Sequence, residues 1–172
     1  MLKYASIILT VTGLCLVSAH PGWGQTSGSP EQAEVAKALK NAKVTLQQGL
    51  TASQREGTPI SAKFEVEHGK LQLSVYTMKG DTFSEVIVDH KTGKVAKVEA
   101  ITGGEDLAAA QAQREAMAKA KRSLAAAASE ATKENKGFRV VSVTPALKDG
   151  HPVAGVTLVK GTEWKTVAEK LD

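Results

Sequence analysis

The stretch VIVDHKTGKVAKVEAI, Val86 to Ile101, decides how this chain is to be read. Two β-type runs, one carrying Val86 and Val88 and the other Val95 and Val98, are joined by Asp89-x-x-Thr92-Gly93. An acid at the end of a β-run invites a catalytic or metal-binding role. That role needs a second carboxylate or imidazole close by, and the immediate sequence offers only Glu85 and His90. A structural role needs nothing more. Asp89 can accept backbone N–H bonds across the turn, Thr92 can support it, and Gly93 can take the positive φ that ends such a hairpin. The expectation is a structural turn of Asp89, Thr92 and Gly93, with no catalytic, cofactor or metal residues assigned.

Working back from this hairpin, the period of the sequence is two. Phe64 and Val66 alternate with Lys63, Glu65 and Glu67, and Leu71, Leu73 and Val75 alternate with Gln72 and Ser74. Such alternation predicts half-buried strands. The breaks, His68-Gly69-Lys70, Lys79-Gly80-Asp81 and Asp89 to Gly93, are short and rich in turn-formers, so consecutive strands should be antiparallel neighbours. Before the strands, Ser29-Pro30-Glu31 is a helix start. Val35, Leu39, Ala42, Leu46 and Leu50 then recur at spacings of four and three, which predicts one amphipathic helix ending near Gly57-Thr58-Pro59.

Beyond the hairpin the order is repeated. From Glu105 an alanine-rich run of high helix propensity extends to about Asn135, read as one helix with only a weak apolar stripe. Gly137 ends it, and β-type runs return in FRVVSVTPAL, PVAGVTLV and TEWKTVAEKL. Placing Gly80 on Gly161 is a shift of 81 (161 − 80). The same shift pairs Gly69 with Gly150, Val75 with Val156, Phe83 with Trp164 and Val86 with Val167. The helices match at a shift of 78, Ala42 falling on Ala120 (120 − 42) and Leu46 on Leu124. Loops absorb such differences at small cost. The pattern predicts a duplication whose second copy lacks Asp-x-x-Thr-Gly and ends before a counterpart of Val95 to Ile101.

The first copy resembles the PepSY family, the small domain of peptidase propeptides and of many stand-alone exported proteins. The matching residues are the helix AKVTLQQGL (Ala42 to Leu50), the strands TPISAKFEVEHGKLQLSVYTMKGD and above all EVIVDHKTGKVAKVE (Glu85 to Glu99). The resemblance covers roughly residues 31 to 101, and the second copy is similar in outline only. It implies an α+β fold, a helix on an antiparallel sheet, in a secreted or periplasmic setting. It also implies a non-catalytic role: inhibiting or assisting a peptidase, or regulating an envelope protein by binding it.

The ends and the composition narrow the function further. Met1 to Ala19 carries Lys3, an apolar run from Ile7 to Val17 and small residues at Ser18 and Ala19, which reads as a secretory signal peptide cleaved after Ala19 or Gly24. The run is short for a membrane span and no second one follows, so no stable span is expected once the signal is removed. Cys15, the single cysteine, falls inside the signal behind the large Leu14, which disfavours lipidation and leaves a mature chain without thiols. The formal net charge of +4 is spread without long blocks, and aromatics make up 4% of the chain. Nucleic-acid binding, which wants a basic stripe with stacking aromatics, is not expected.

Other residues are assigned ordinary roles. His68, His90 and His151 each adjoin a turn, and no two share a helix face, so they read as surface histidines rather than zinc ligands. There is no G-x-S-x-G and no phosphate loop, and Ser74, Ser84 and Ser142 lie in strand patterns rather than at nucleophile turns. Phe83 and Trp164, equivalent in the two copies, are expected to anchor the core under their helices. The alanine-rich helix is expected to cover a sheet, although Gln111, Gln113, Arg114, Lys119, Lys121 and Arg122 could also present a surface to a partner.

The predicted organisation is a signal peptide with the start of a linker (1–24), a linker (25–30), a first PepSY-like unit (31–103) and a degenerate second unit (104–172), able to pack as one body. The expected activity is binding of a protein or extended peptide, a peptidase among the candidates, along a sheet edge or an open sheet face, with no cofactor. The rival expectation is a periplasmic small-molecule or metal-ion binding protein.

Overall fold

The computed structural model describes residues 26–172; the segment read as a signal peptide, with Cys15 and His20, lies outside the described residues. In chain order the elements are β1 (Thr26–Ser27), α1 (Pro30–Leu39), α2 (Leu46–Ser53), β2 (Thr58–Glu67), β3 (Lys70–Lys79), β4 (Thr82–Val88) and β5 (Val95–Ile101). They continue with α3 (Gly104–Lys119), α4 (Leu124–Glu134), β6 (Arg139–Lys148), β7 (His151–Lys160) and β8 (Glu163–Lys170). The fold is α+β, helices on an antiparallel sheet, and the strands of both halves join in one sheet of order β1-β8-β7-β6-β2-β3-β4-β5.

The junction of the halves is the β2–β6 pair, where Ala62 faces Val143 and Lys63 faces Ser142. Thr58, Lys70 and Thr82 begin β2, β3 and β4, and Arg139, His151 and Glu163 begin β6, β7 and β8, each at the same shift of 81 (139 − 58). Both first strands carry an irregularity at the same place, between Pro59 and Ser61 and between Val140 and Ser142. Both first turns hold a non-glycine residue at positive φ, His68 at 50° and Asp149 at 52°. Because Ala62 and Val143 are themselves 81 apart and face each other, a local two-fold relates the strands of the two halves through this pair.

Each long helix of the sequence reading is two helices. The first breaks between Leu39 and Leu46, where Thr45 caps α2 in a capping box with Gln48, and the second breaks at Ala120, which is extended, before Ser123 caps α4. The apolar spacing through Leu39, Ala42 and Leu46 stays in helical phase across the first break, so periodicity alone could not register it; the Thr-x-x-Gln signature at Thr45 does. The breaks let each half place its two helices differently. α2 packs on β2, β3 and β4, α4 packs on β6, β7 and β8, and the two touch each other.

Under α2 and α4 lie Ala62, Phe64, Leu73, Val75, Val86 and Val88 from one half and Val143, Ala154, Val156, Leu158 and Val167 from the other, all buried. Gly49 brings α2 close to the sheet: a Cβ there would stand 2.5 Å from Leu73 Cδ2. Ala127, Ala128 and Ala131 of α4 are fully buried, so the small side chains exchange area for close approach. Phe83 differs in parity from Val86 and therefore points to the other face, where it forms a second cluster with Ile60 and Ala110 of α3. Trp164 likewise differs in parity from Val167 and packs beside Gly28, Ala33 and Ala36 at the start of the chain. Both aromatics are 4% exposed.

β5 departs from the half-buried strand expected of it. Its central residues Ala96 to Ala100 are exposed on both faces, Val98 at 44%, and its outer edge is the end of the sheet. At the opposite end, Thr26–Ser27, within the stretch read as linker, pairs with Trp164 and Glu163 of β8.

Candidate functional site

The turn from Asp89 to Gly93 joins β4 to β5. Asp89 Oδ1 accepts from Lys91 N at 3.0 Å, Thr92 N at 2.7 Å and Thr92 Oγ1 at 2.8 Å. Gly93 stands at φ 73°. The Thr92 hydroxyl, followed by the two backbone N–H groups, holds the Asp89 carboxyl below its ordinary range. The product of this geometry is a presented carbonyl: His90 O accepts from both Lys43 N at 2.9 Å and Val44 N at 3.1 Å, the chain entering α2. The hairpin therefore docks the α1–α2 connection onto the sheet. Arg139 holds that connection from the other half, donating to Leu39 O, Ala42 O and Val44 O.

The histidines stay apart. His68 lies in the β2–β3 turn, and His151 is exposed at the start of β7 with Nδ1 3.0 Å from Asp172 Oδ2. His90 lines a groove of about 1060 Å³ with Lys40, Lys43, Lys70 and Lys91, and its Nδ1 is buried with no hydrogen-bond partner. Among the described residues no three of His, Cys, Asp and Glu come together as a metal-binding group. Among the described residues, no hydrogen bond joins Ser74, Ser84 or Ser142 to an imidazole.

What the sequence reading missed is a surface that only the strand register assembles. On the face away from α2 and α4, cross-strand partners line up as Thr166, Thr157, Ser142, Lys63, Ser74, Ile87 and Lys97, one row running from β8 to β5. Beside it runs a second row, Ser61, Tyr76, Glu85 and Glu99. Directly opposed side chains in a sheet lie close enough to interact, so the rows behave as connected surfaces. α3 borders them, with Ser61 Oγ donating to Gln113 Oε1 at 2.8 Å.

The floor is a hydrogen-bonded and charged network. Lys63 Nζ lies 2.7 Å from Glu65 Oε2 and 5.6 Å from the centre of the Tyr76 ring. Gln72 Nε2 donates to Ser74 Oγ at 2.9 Å, which donates to Glu65 Oε1 at 2.8 Å. Burial raises the Glu85 carboxyl above its ordinary value, eased by the Ser74 hydroxyl and increased again by the nearby charge of Glu65. Burial also raises the Tyr76 phenol, with Glu85 and Glu65 adding to it, so Tyr76 stays a neutral donor. The surface offers hydroxyls, ammonium groups and carboxylates at strand spacing.

The comparison with known proteins bears on this half of the molecule. Residues 28–99 match the PepSY family model. That model is described as the peptidase propeptide and YPEB domain, and the matched segment runs from the start of α1 into β5. The matched segment holds Asp89, Thr92, Gly93 and, from the two rows, Ser61, Lys63, Ser74, Tyr76, Glu85, Ile87, Lys97 and Glu99. α3, α4 and β6 to β8 lie outside it. No curated protein matches the chain. A crystal structure of a candidate lipoprotein from Clostridium difficile 630 is similar at 14% identity and a TM-score of 0.44, over 76% of this chain and 88% of that one. No helix among the described residues is long and apolar enough to cross a membrane.

Proposed function

We propose that this is an exported, non-catalytic protein-binding module of two PepSY-like units, the second a degenerate copy, which inhibits or assists a secreted peptidase or regulates an envelope protein. The single observation that carries the reading is the polar row from Thr166 to Lys97, exposed at its two ends and partly exposed at Lys63 and Ile87, with Ser74 buried beneath it. A sheet face furnished with Lys63, Ser74, Glu85 and Tyr76, and bordered by α3, is suited to an extended segment of a partner, with side chains selected by the paired charges. The match of residues 28–99 to a propeptide-type domain supports a protein as the ligand, and the Met1 to Ala19 pattern supports export. Asp89, Thr92 and Gly93 serve in this reading as a clamp that fixes the helices and not as ligands.

The test compares the wild-type protein with Lys63→Glu and Ile87→Arg, both at surface positions of the row, for capture of exported proteins and for hydrogen-exchange protection of β3 and β4 by the captured partner. The expected result is a partner held by the wild type, lost in both variants, and protecting these strands. A partner retained equally by both variants would refute the surface. Recovery of no partner, together with tight calorimetric binding of a divalent metal, would favour the small-molecule or metal-ion alternative.

A further inference from the structure

β5 is a free edge, and its side chains fit their own mirror sequence. Read about Val98, the strand Val95-Ala96-Lys97-Val98-Glu99-Ala100-Ile101 places like beside like in size and opposite beside opposite in charge. An antiparallel copy centred on Val98 sets Lys97 against Glu99 of the other chain and Glu99 against its Lys97, with Val98 on Val98 at the axis. We propose that β5 pairs with β5 of a second copy of this chain, joining the two sheets across a two-fold axis through Val98.

The register is selected as well as permitted. Antiparallel ladders form between residues whose N–H and C=O both point outward, so the strands can slip only in steps that keep that alternation. The neighbouring registers centre on Lys97 or on Glu99, and each sets two like charges directly opposite one another, which is destabilising. Only the Val98 register pairs both charges favourably. By symmetry the Lys97–Glu99 pair occurs twice, the feature of an isologous interface.

The surroundings agree with such an edge. Lys97 and Glu99 already lie 2.8 Å apart on one face with 61% and 50% of their side chains exposed, so both are available to a neighbouring strand. Val98, the exposed apolar residue of the strand at 44%, would be covered at the axis. The register irregularity opposite Ile87 and Val88 inserts Ala96 as an extra residue in β5, which lies outside the three central pairs and keeps the ladder short. A short ladder makes a weak, concentration-dependent dimer. The polar rows of the two copies would meet at Lys97 and Glu99, so the pair would present two faces side by side and gain from multivalency toward a partner with two segments.

Charge exchange tests the register. Sedimentation equilibrium is run on the wild type, on Lys97→Glu, on Glu99→Lys and on the double exchange K97E/E99K, with circular dichroism to confirm that each is folded. Each single exchange turns two opposite-charge contacts into two like-charge contacts and should weaken self-association about tenfold or more. The double exchange reverses both signs and should return it to within about threefold of the wild type. Val98→Asp, which sets two carboxylates at the axis, should abolish it. A wild type that stays monomeric at ~0.5 mM, where even millimolar affinity would show, overturns the proposal. So do single variants that associate like the wild type, or a double exchange that does not recover.

Discussion

Arg139 is the place where one side chain holds the two halves in a fixed relation, and its removal has a predictable size. The guanidinium belongs to the first residue of β6, yet it donates to the carbonyls of Leu39, Ala42 and Val44 at 3.0, 3.3 and 2.7 Å and lies 5.4 Å from the centre of the Phe64 ring. Hydrogen bonds to a charged donor contribute about 1.5–3 kcal/mol each when well shielded. Arg139 is only partly buried and the freed carbonyls can regain water, so about 1 kcal/mol per bond is a suitable scale. Arg139→Met keeps the stem packing and removes three bonds, a loss of about 3 kcal/mol. For a chain of this size that is about 6–12 °C in Tm. Arg139→Lys retains a point charge but not the fork that reaches three carbonyls, and should lose about 2 kcal/mol. Urea titration followed by circular dichroism measures both, with an unchanged m-value showing that stability alone has moved. A Met variant within about 0.5 kcal/mol of the wild type would refute the idea that this contact joins the halves.

Gly49→Ala should destabilise despite a helix-propensity gain of about 1 kcal/mol, because the new Cβ meets the fully buried Leu73 at 2.5 Å and overpacking costs about 1–3 kcal/mol; a double-mutant cycle with Leu73→Val should recover the difference. Gly93→Val, at φ 73° with only ordinary contacts to Val44, should cost about 1–2 kcal/mol from backbone strain alone, and unchanged thermal unfolding would remove that assignment. Because burial raises the Glu85 carboxyl in the fold, the folded chain binds more protons than the unfolded chain above the ordinary carboxyl value, so stability falls as pH rises through that window. Glu85→Gln should therefore equal the wild type near pH 4 and exceed it at pH 7, and identical pH profiles in thermal denaturation would contradict the burial argument.

Strands and turns were legible because their signals are local. Alternation in Leu71 to Val75 and the glycines at Gly69, Gly80 and Gly93 placed β2 to β5, and an independent shift of 81 placed β6 to β8. The helix breaks were present in the letters as Thr45-x-x-Gln48 and as Ser123 before Leu124, but an unbroken apolar phase concealed them. β5 looked like a half-buried strand because Val95 and Val98 are apolar, whereas burial depends on a neighbour that its edge position denies it. The polar rows were illegible for a different reason. Lys63, Ser74 and Ile87 are remote in sequence, and a register displaced by one residue would have sent the alternate set of side chains to that face.

The β2–β6 junction has a kinetic meaning. Ala62 must find Val143 across 81 residues, while the pairs β2–β3, β3–β4 and β4–β5 close over short turns. Loop closure delays non-local ladders, so a nascent chain carries the inner edge of β2 unpaired until β6 has formed. During that interval the protein has two open edges of the first half, β2 and β5, and the strand that later becomes the centre of the sheet is the one most in need of protection from other chains.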